Sequence, residues 1–346
     1  MTQDTASIRL TQFAKASGCG CKIQPAALKE ILNGVEVGNA GNLLVGNTLN
    51  DDCSVYNLGD GNCLLQTVDF FTPLVDDAFT FGKAAATNAL SDIWAMGGTP
   101  IMANAVLGWP IDSLPLEMAQ QVIQGGAEAC REAGIVISGG HSIDSPEPMF
   151  GLSVTGMVPF KNLKTNSNAI VGDVIFLTKP LGIGMLSAAH KRGLSTPKQD
   201  AELYHWITQS NKIGAAISGL SAIHAVTDIT GFGLLGHALE VCHASNVSMH
   251  FNGKALPKIS GAEALASQFV LPDNAMRNWN AYQHRIELKD QDAFSWMVDP
   301  QTSGGLFISV GEEGIQEFLS RCQELNTKVW QIGSVEIKEE KEITVW

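Results

Sequence analysis

The chain is poor in charge, and poorest in positive charge. Charged residues make up only 16% of its 346 positions, and 22 lysines and arginines face 35 aspartates and glutamates, for a net charge of -13. That composition excludes a disordered or coiled-coil chain. It also excludes sequence-independent nucleic-acid binding, which needs a basic surface. No apolar run approaches the length of a membrane span, and Met1 to Leu10 carries no apolar signal region. No G-x-x-x-x-G-K-[ST] phosphate loop occurs. The seven cysteines (Cys19, Cys21, Cys53, Cys63, Cys130, Cys242 and Cys322) are odd in number and scattered. Such usage predicts reduced thiols in a cytoplasmic protein rather than a disulfide framework.

What remains is 45% hydrophobic with 35 glycines, enough for sizeable cores and many tight turns. The length predicts two domains. A polar stretch from Phe160 to Ala169 marks the boundary, dividing the chain into a flexible segment 1–48, a first domain 49–159 and a second domain 170–346. The first half reads as a meander with acids at its ends. A helix over Phe81 to Met96 then stops at Gly97-Gly98, and a second runs from about Ser113 to Glu132. Ile135 to Ser138 reads as a buried strand leading into a small-residue turn, Gly139-Gly140-His141-Ser142, of the kind that cradles phosphate. In the second half strands alternate with helices, including one long helix over Ala201 to Leu220, as in a sheet covered by helices.

Three features carry chemistry. Gly18-Cys19-Gly20-Cys21-Lys22 sets two thiols beside an ammonium between glycine hinges, which reads as a mobile arm whose lysine favours the reactive thiolate. Asp51-Asp52, Asp69, Asp92 and Asp228 each stand where an element meets a polar or glycine-rich turn. Dispersed carboxylates with few histidines fit Mg²⁺ better than zinc, and Mg²⁺ lets an acidic protein hold an anionic nucleotide. Gly231-Phe232-Gly233-Leu234-Leu235-Gly236 matches a dinucleotide fingerprint, but the strand that follows, Val247 to Phe251, ends without the acid such a site needs for the ribose.

Together these segments resemble the selenophosphate synthetase (selenide, water dikinase) family over essentially the whole chain. The likeness also takes in Thr67-Val68-Asp69-Phe70-Phe71, Asn88 to Ile93, Thr227 to Gly233 and Asp299-Pro300-Gln301-Thr302-Ser303-Gly304-Gly305. It implies an α/β (α+β) fold of the aminoimidazole ribonucleotide synthetase type, with an N-terminal domain that forms a β-barrel across a homodimer and a C-terminal α/β domain. It implies the reaction of ATP, selenide and water to selenophosphate, AMP and phosphate. By position, Cys19 and Lys22 match the catalytic pair, and Asp52, Asp92 and Asp228 match the magnesium ligands. Lys22, Leu49, Asn50, Asp51, Asp69, Asp92, Gly140, His141 and Ser142 match the nucleotide site, the last three reaching ATP across the dimer. A monovalent cation such as K⁺ is a candidate cofactor and a selenium-delivery protein a candidate partner. Cys53 stands where the family usually has alanine, and Leu49 and Asn50 depart from its more polar pair. Two other readings fit part of the pattern. A kinase of the same superfamily acting on another acceptor, such as a thiamine phosphate, needs the aspartates without the arm. A thiol- or metal-binding protein needs the arm without the aspartates.

Overall fold

The computed structural model describes residues 8–23, 25–35, 41–46 and 50–346. Two sheets organise it. The first half contributes α1 (Pro25–Leu32), β1 (Leu43–Val45), β2 (Ser54–Asn57), β3 (Asn62–Phe71), α2 (Ala78–Ala95), β4 (Thr99–Trp109), α3 (Leu116–Glu132), β5 (Ile137–Asp144) and β6 (Met149–Pro159). Its six strands lie in the order β1-β2-β3-β6-β4-β5, antiparallel except for the parallel β4–β5 pair that α3 connects.

The second half contributes β7 (Val174–Leu177), α4 (Ile183–Arg192), α5 (Pro197–Ile207), α6 (Ile213–Ile217), β8 (Ile223–Asp228), α7 (Gly233–Ser245), β9 (Ser248–Phe251), α8 (Glu263–Ser267) and α9 (Asp273–Tyr282). It continues with β10 (Ile286–Leu288), α10 (Phe294–Val298), β11 (Leu306–Val310), α11 (Ile315–Glu324), β12 (Trp330–Glu336) and β13 (Ile343–Val345). Seven strands form a mixed sheet in the order β10-β13-β9-β12-β7-β11-β8. No helix among the described residues is long and apolar enough to cross a membrane.

Helix α2 is the piece that both halves share. Asp77 caps its start, accepting from the Thr80 N–H at 2.7 Å. Its alanine-rich body lets neighbours close in on nearly every side. At Gly82 an added Cβ would sit 1.8 Å from the Val122 carbonyl oxygen of α3, so only glycine permits that approach. On another side Gly214 of α6 lies so near that its own Cβ would meet the Trp94 carbonyl at 2.2 Å. All of α2 beyond Lys83 is buried.

Three expectations from sequence change here. The single helix over Ala201 to Leu220 is two, α5 and α6, because the residues between them are committed to tertiary bonds. The Gln209 carbonyl accepts from Lys179 Nζ at 2.6 Å, and Asn211 Nδ2 donates to Ser91 Oγ at 2.8 Å and to the Gly304 carbonyl at 2.7 Å. Gly139 to Ser142 is no turn but part of β5, paired in parallel with Asn104 to Leu107 of β4. At Gly140 the approach is so close that a Cβ would meet the Ala105 carbonyl at 2.2 Å. The third concerns Asp69, which lies inside β3 rather than after its end. Alternation along β3 turns Thr67 and Asp69 toward the covered side and Val68 and Phe70 outward.

Candidate active site

Three carboxylates from distant parts of the chain meet at one point. Asp52 precedes β2, Asp92 lies in the last turn of α2, and Asp228 closes β8. A carboxylate oxygen of each lies within 4.8 Å of the others. Thr67 Oγ donates to Asp92, and Thr227 Oγ donates to Asp52 at 3.1 Å. One oxygen of Asp52 and one of Asp228 are buried without any partner. Burial, followed by the neighbouring carboxylates, pushes Asp52 and Asp92 well above the ordinary carboxylate range; burial also raises Asp228 against the pull of Ser91, His237 and Lys22. Buried oxygens with nothing to bind, among acids that repel one another, are the donor set that a hard divalent cation satisfies.

Beside the acids stands the cysteine arm, and it is docked. Cys19 is 1% exposed. Its thiol donates to Asn88 Oδ1 at 3.2 Å, and its N–H donates to Thr302 Oγ at 3.0 Å. Gly18, at φ +52°, donates to the Thr72 carbonyl; a Cβ there would strike Thr302 Oγ at 2.4 Å. Asn88 has a defined amide orientation. Its oxygen also accepts from the Ser303 N–H at 2.7 Å, and its Nδ2 donates to Asp69 at 2.5 Å. Lys22 favours the thiolate as expected, but burial opposes it. Burial raises the Cys19 thiol well above its usual value, and the Lys22 ammonium does not offset it. The arm is held at its first end, where Gly18 and Cys19 bond to Thr72, Thr302 and Asn88, while the N–H groups of Gly20 to Lys22 hydrogen-bond only within the loop. Lys22 Nζ stands 3.8 Å from Asp69. Asp69, with Asp92 and Asp228 behind it, holds that part-exposed lysine firmly protonated.

The sequence matches the model of the AIR synthase related protein N-terminal domain over residues 50–158 and that of the C-terminal domain over 171–345. It is 47% identical over 334 residues to a selenide, water dikinase of Aeromonas hydrophila, covering 96% of this chain and 97% of that one. It is 46% identical over 330 residues to one of Escherichia coli K12, covering 95% of each. The chain belongs to the selenide, water dikinase family. The fold is shared more widely. The protein tt0281 of Thermus thermophilus superposes with a TM-score of 0.72 at 19% identity, covering 93% of this chain and 96% of the other. A thiamine monophosphate kinase of Aquifex aeolicus does so at 0.63 and 17%, covering 92% and 94%. At those identities the likeness is one of fold alone.

As a selenide, water dikinase the chain gathers some of the residues singled out in its sequence and separates others. Asp52, Asp92, Asp228, Asp69, Lys22 and Cys19 share one neighbourhood. Asp51 turns away, accepting from the Asn166 N–H at 2.7 Å, and the Asn50 carbonyl is held by Asn166 Nδ2 at 3.0 Å. Leu49 lies outside the described residues. Gly140, His141 and Ser142 sit on the edge strand β5, three strand spacings from β3, or about 14 Å. The fingerprint-like glycines have packing reasons: a Cβ at Gly231 would meet the Cys19 carbonyl at 2.6 Å. Cys53 is buried beside the acids.

Residues that sequence reading passed over hold the site together. Asn88 had one signal, its place one helical turn before Asp92. Lys179 showed only as the start of a glycine-rich turn. It is buried, its Nζ donates to the carbonyls of Gln209 and Ser303 at 2.6 and 2.7 Å, and burial lowers its pKa to about 7. It thereby fixes the turn whose Thr302 and Ser303 grip Cys19 and Asn88. Lys179→Met leaves both carbonyls unpaired and is expected to cost about 2–4 kcal/mol, read as a lower urea midpoint at unchanged slope.

Proposed function

We propose that this chain makes selenophosphate from ATP, selenide and water, releasing AMP and phosphate. The observation that carries the reading is the convergence of Asp52, Asp92 and Asp228 beside Cys19 and Lys22. The family's name supplies the substrates.

Asp52, Asp92 and Asp228 would hold Mg²⁺, which when bound supplies charge neutralisation and bridging for the phosphates of ATP. The chain's own groups do the rest. Lys22, kept protonated by Asp69, neutralises charge on the γ-phosphoryl as it transfers. Cys19, aimed by Asn88 and Thr302, handles the soft selenium beside that phosphorus, and the docked arm keeps bulk water out. Selenide attacks the γ-phosphorus and the β–γ bridging bond breaks, leaving ADP. Water then attacks the β-phosphorus and the α–β bridging bond breaks, leaving AMP and orthophosphate.

The nucleotide site extends over the first domain, 49–159, with 170–346 closing it from the other side. We also propose a homodimer formed through the first sheet. Its open face exposes Val68, Phe70, Met102 and Ile143, and β5 offers an unpaired edge, a combination that isolated monomers avoid. Such pairing would bring Gly140, His141 and Ser142 of one subunit toward the other's nucleotide. Phosphorus NMR of ATP with selenide and magnesium tests the reaction. AMP together with a selenium-coupled phosphorus resonance is expected. ADP alone would instead favour a kinase acting on another acceptor, and no turnover a binding protein.

A further inference from the structure

A second polar site lies on the far side of the cysteine arm. It is a cavity of about 790 Å³ between the N-terminal segment, the end of α4 and the start of α9. Gly20 borders it, whereas the neighbouring Cys19 thiol points the other way, to Asn88. None of the clustered carboxylates lines it. Its walls instead carry Arg9, Lys15, Lys191, Arg192 and Arg277, against the single acid Asp273.

In a chain of net charge -13, five cations around one cavity need a reason. Some have internal work. Arg9 pairs with Asp76 at 2.7 Å and donates to the His190 carbonyl. Lys191 Nζ donates to the carbonyls of Ala14 and Lys15, with Glu147 and Asp273 acting on its charge from beyond ion-pair distance. Arg192 donates to the Leu271 carbonyl and stands 3.9 Å from Asp273. Among the described residues, no acid lies within ion-pair distance of the Lys15 ammonium or the Arg277 guanidinium. Ser17 Oγ, in the same wall, is buried with no hydrogen-bond partner. The lining has no aromatic side chain on which a base could stack. Guanidinium forks and ammonium groups around the hollow match a tetrahedral oxyanion.

The geometry points to a binding site for a phosphate-class oxyanion, which during turnover receives the tetrahedral products, orthophosphate and selenophosphate, as they leave past the arm. Both products are anions, and a cationic hollow across a five-residue arm from the acid cluster offers them a site outside it. The naming of the products rests on the proposed reaction; the binding of the anion does not, and is measured without it.

Orthophosphate is titrated into the full chain by calorimetry, with EDTA, without nucleotide, and against chloride at the same ionic strength. Saturable binding is expected, weakened at least fivefold by Arg277→Gln and again by Lys15→Gln. Both side chains are exposed, so the fold survives either change. Three results would overturn the site: no saturable binding, affinity unmoved by both substitutions, or binding that appears only with magnesium, which would place the anion at the acid cluster. In the working enzyme, orthophosphate should inhibit the parent more strongly than Arg277→Gln. Equal inhibition would remove the product role.

Discussion

Asp228→Asn is expected to abolish magnesium-dependent nucleotide binding and, in the same protein without metal, to raise its melting temperature. The first effect follows from removing one of three oxygens that converge within 4.8 Å; turnover should fall by about 10³, the scale for losing a group that organises transition-state charge. The second follows from burial. With no cation present, three carboxyl groups compete for protons in a space that disfavours charge, and removing one relieves about 1 kcal/mol, or roughly 2 °C for a chain of this size. The sign in pH is fixed by the raised values of Asp52, Asp92 and Asp228. The folded state keeps protons that the unfolded chain has already lost, so metal-free stability falls as pH rises above about 4. Asp228→Asn makes that decline shallower. Thermal scans from pH 4 to 8, with EDTA and then with magnesium, read both effects. Unchanged nucleotide affinity with a lowered melting temperature would make Asp228 a structural residue only.

Cys19→Ser should leave MgATP binding within about twofold of the parent while selenophosphate formation drops by about 10³ or more. The hydroxyl can donate to Asn88 as the thiol does, and the Thr302 contact is to the backbone N–H, so the arm stays docked. What is lost is a soft, polarisable sulfur suited to selenium. Cys19→Ala, which also loses the Asn88 bond, should add an increase in the Michaelis constant for ATP through the Asn88–Asp69–Lys22 chain. A serine variant with full turnover would reduce Cys19 to a packing group.

The residues that meet at the acid cluster could be picked from the sequence because each sits near the end of an element, Asp52 before β2, Asp92 in the last turn of α2 and Asp228 at the end of β8. Their meeting could not, since it depends on how α2 is wedged between the two halves. Gly139 to Ser142 misled for a definite reason: consecutive glycines favour a turn in isolation, yet a parallel partner, β4, supplies the hydrogen bonds that keep them extended. The glycines around the Cys19 arm serve packing as well. Glycine hinges imply freedom, but at Gly18 and Gly231 the missing Cβ is what lets Thr302 and the Cys19 backbone approach. Lys179 showed only as the start of a glycine-rich turn, because a lone lysine in sequence gives no hint of burial. The long helix over Ala201 to Leu220 failed because nothing local forbids it; Gln209 and Asn211 break it to serve partners far along the chain.

Because α2 is enclosed on nearly all sides, it leaves an experimenter little room. Only Phe79, Thr80 and Lys83 along its length reach the surface. A fluorophore or spin label meant to watch the helix that carries Asn88 and Asp92 must go on one of those three, a turn or more away from the chemistry. Placed anywhere further along, the label would pry the two halves apart rather than report on them.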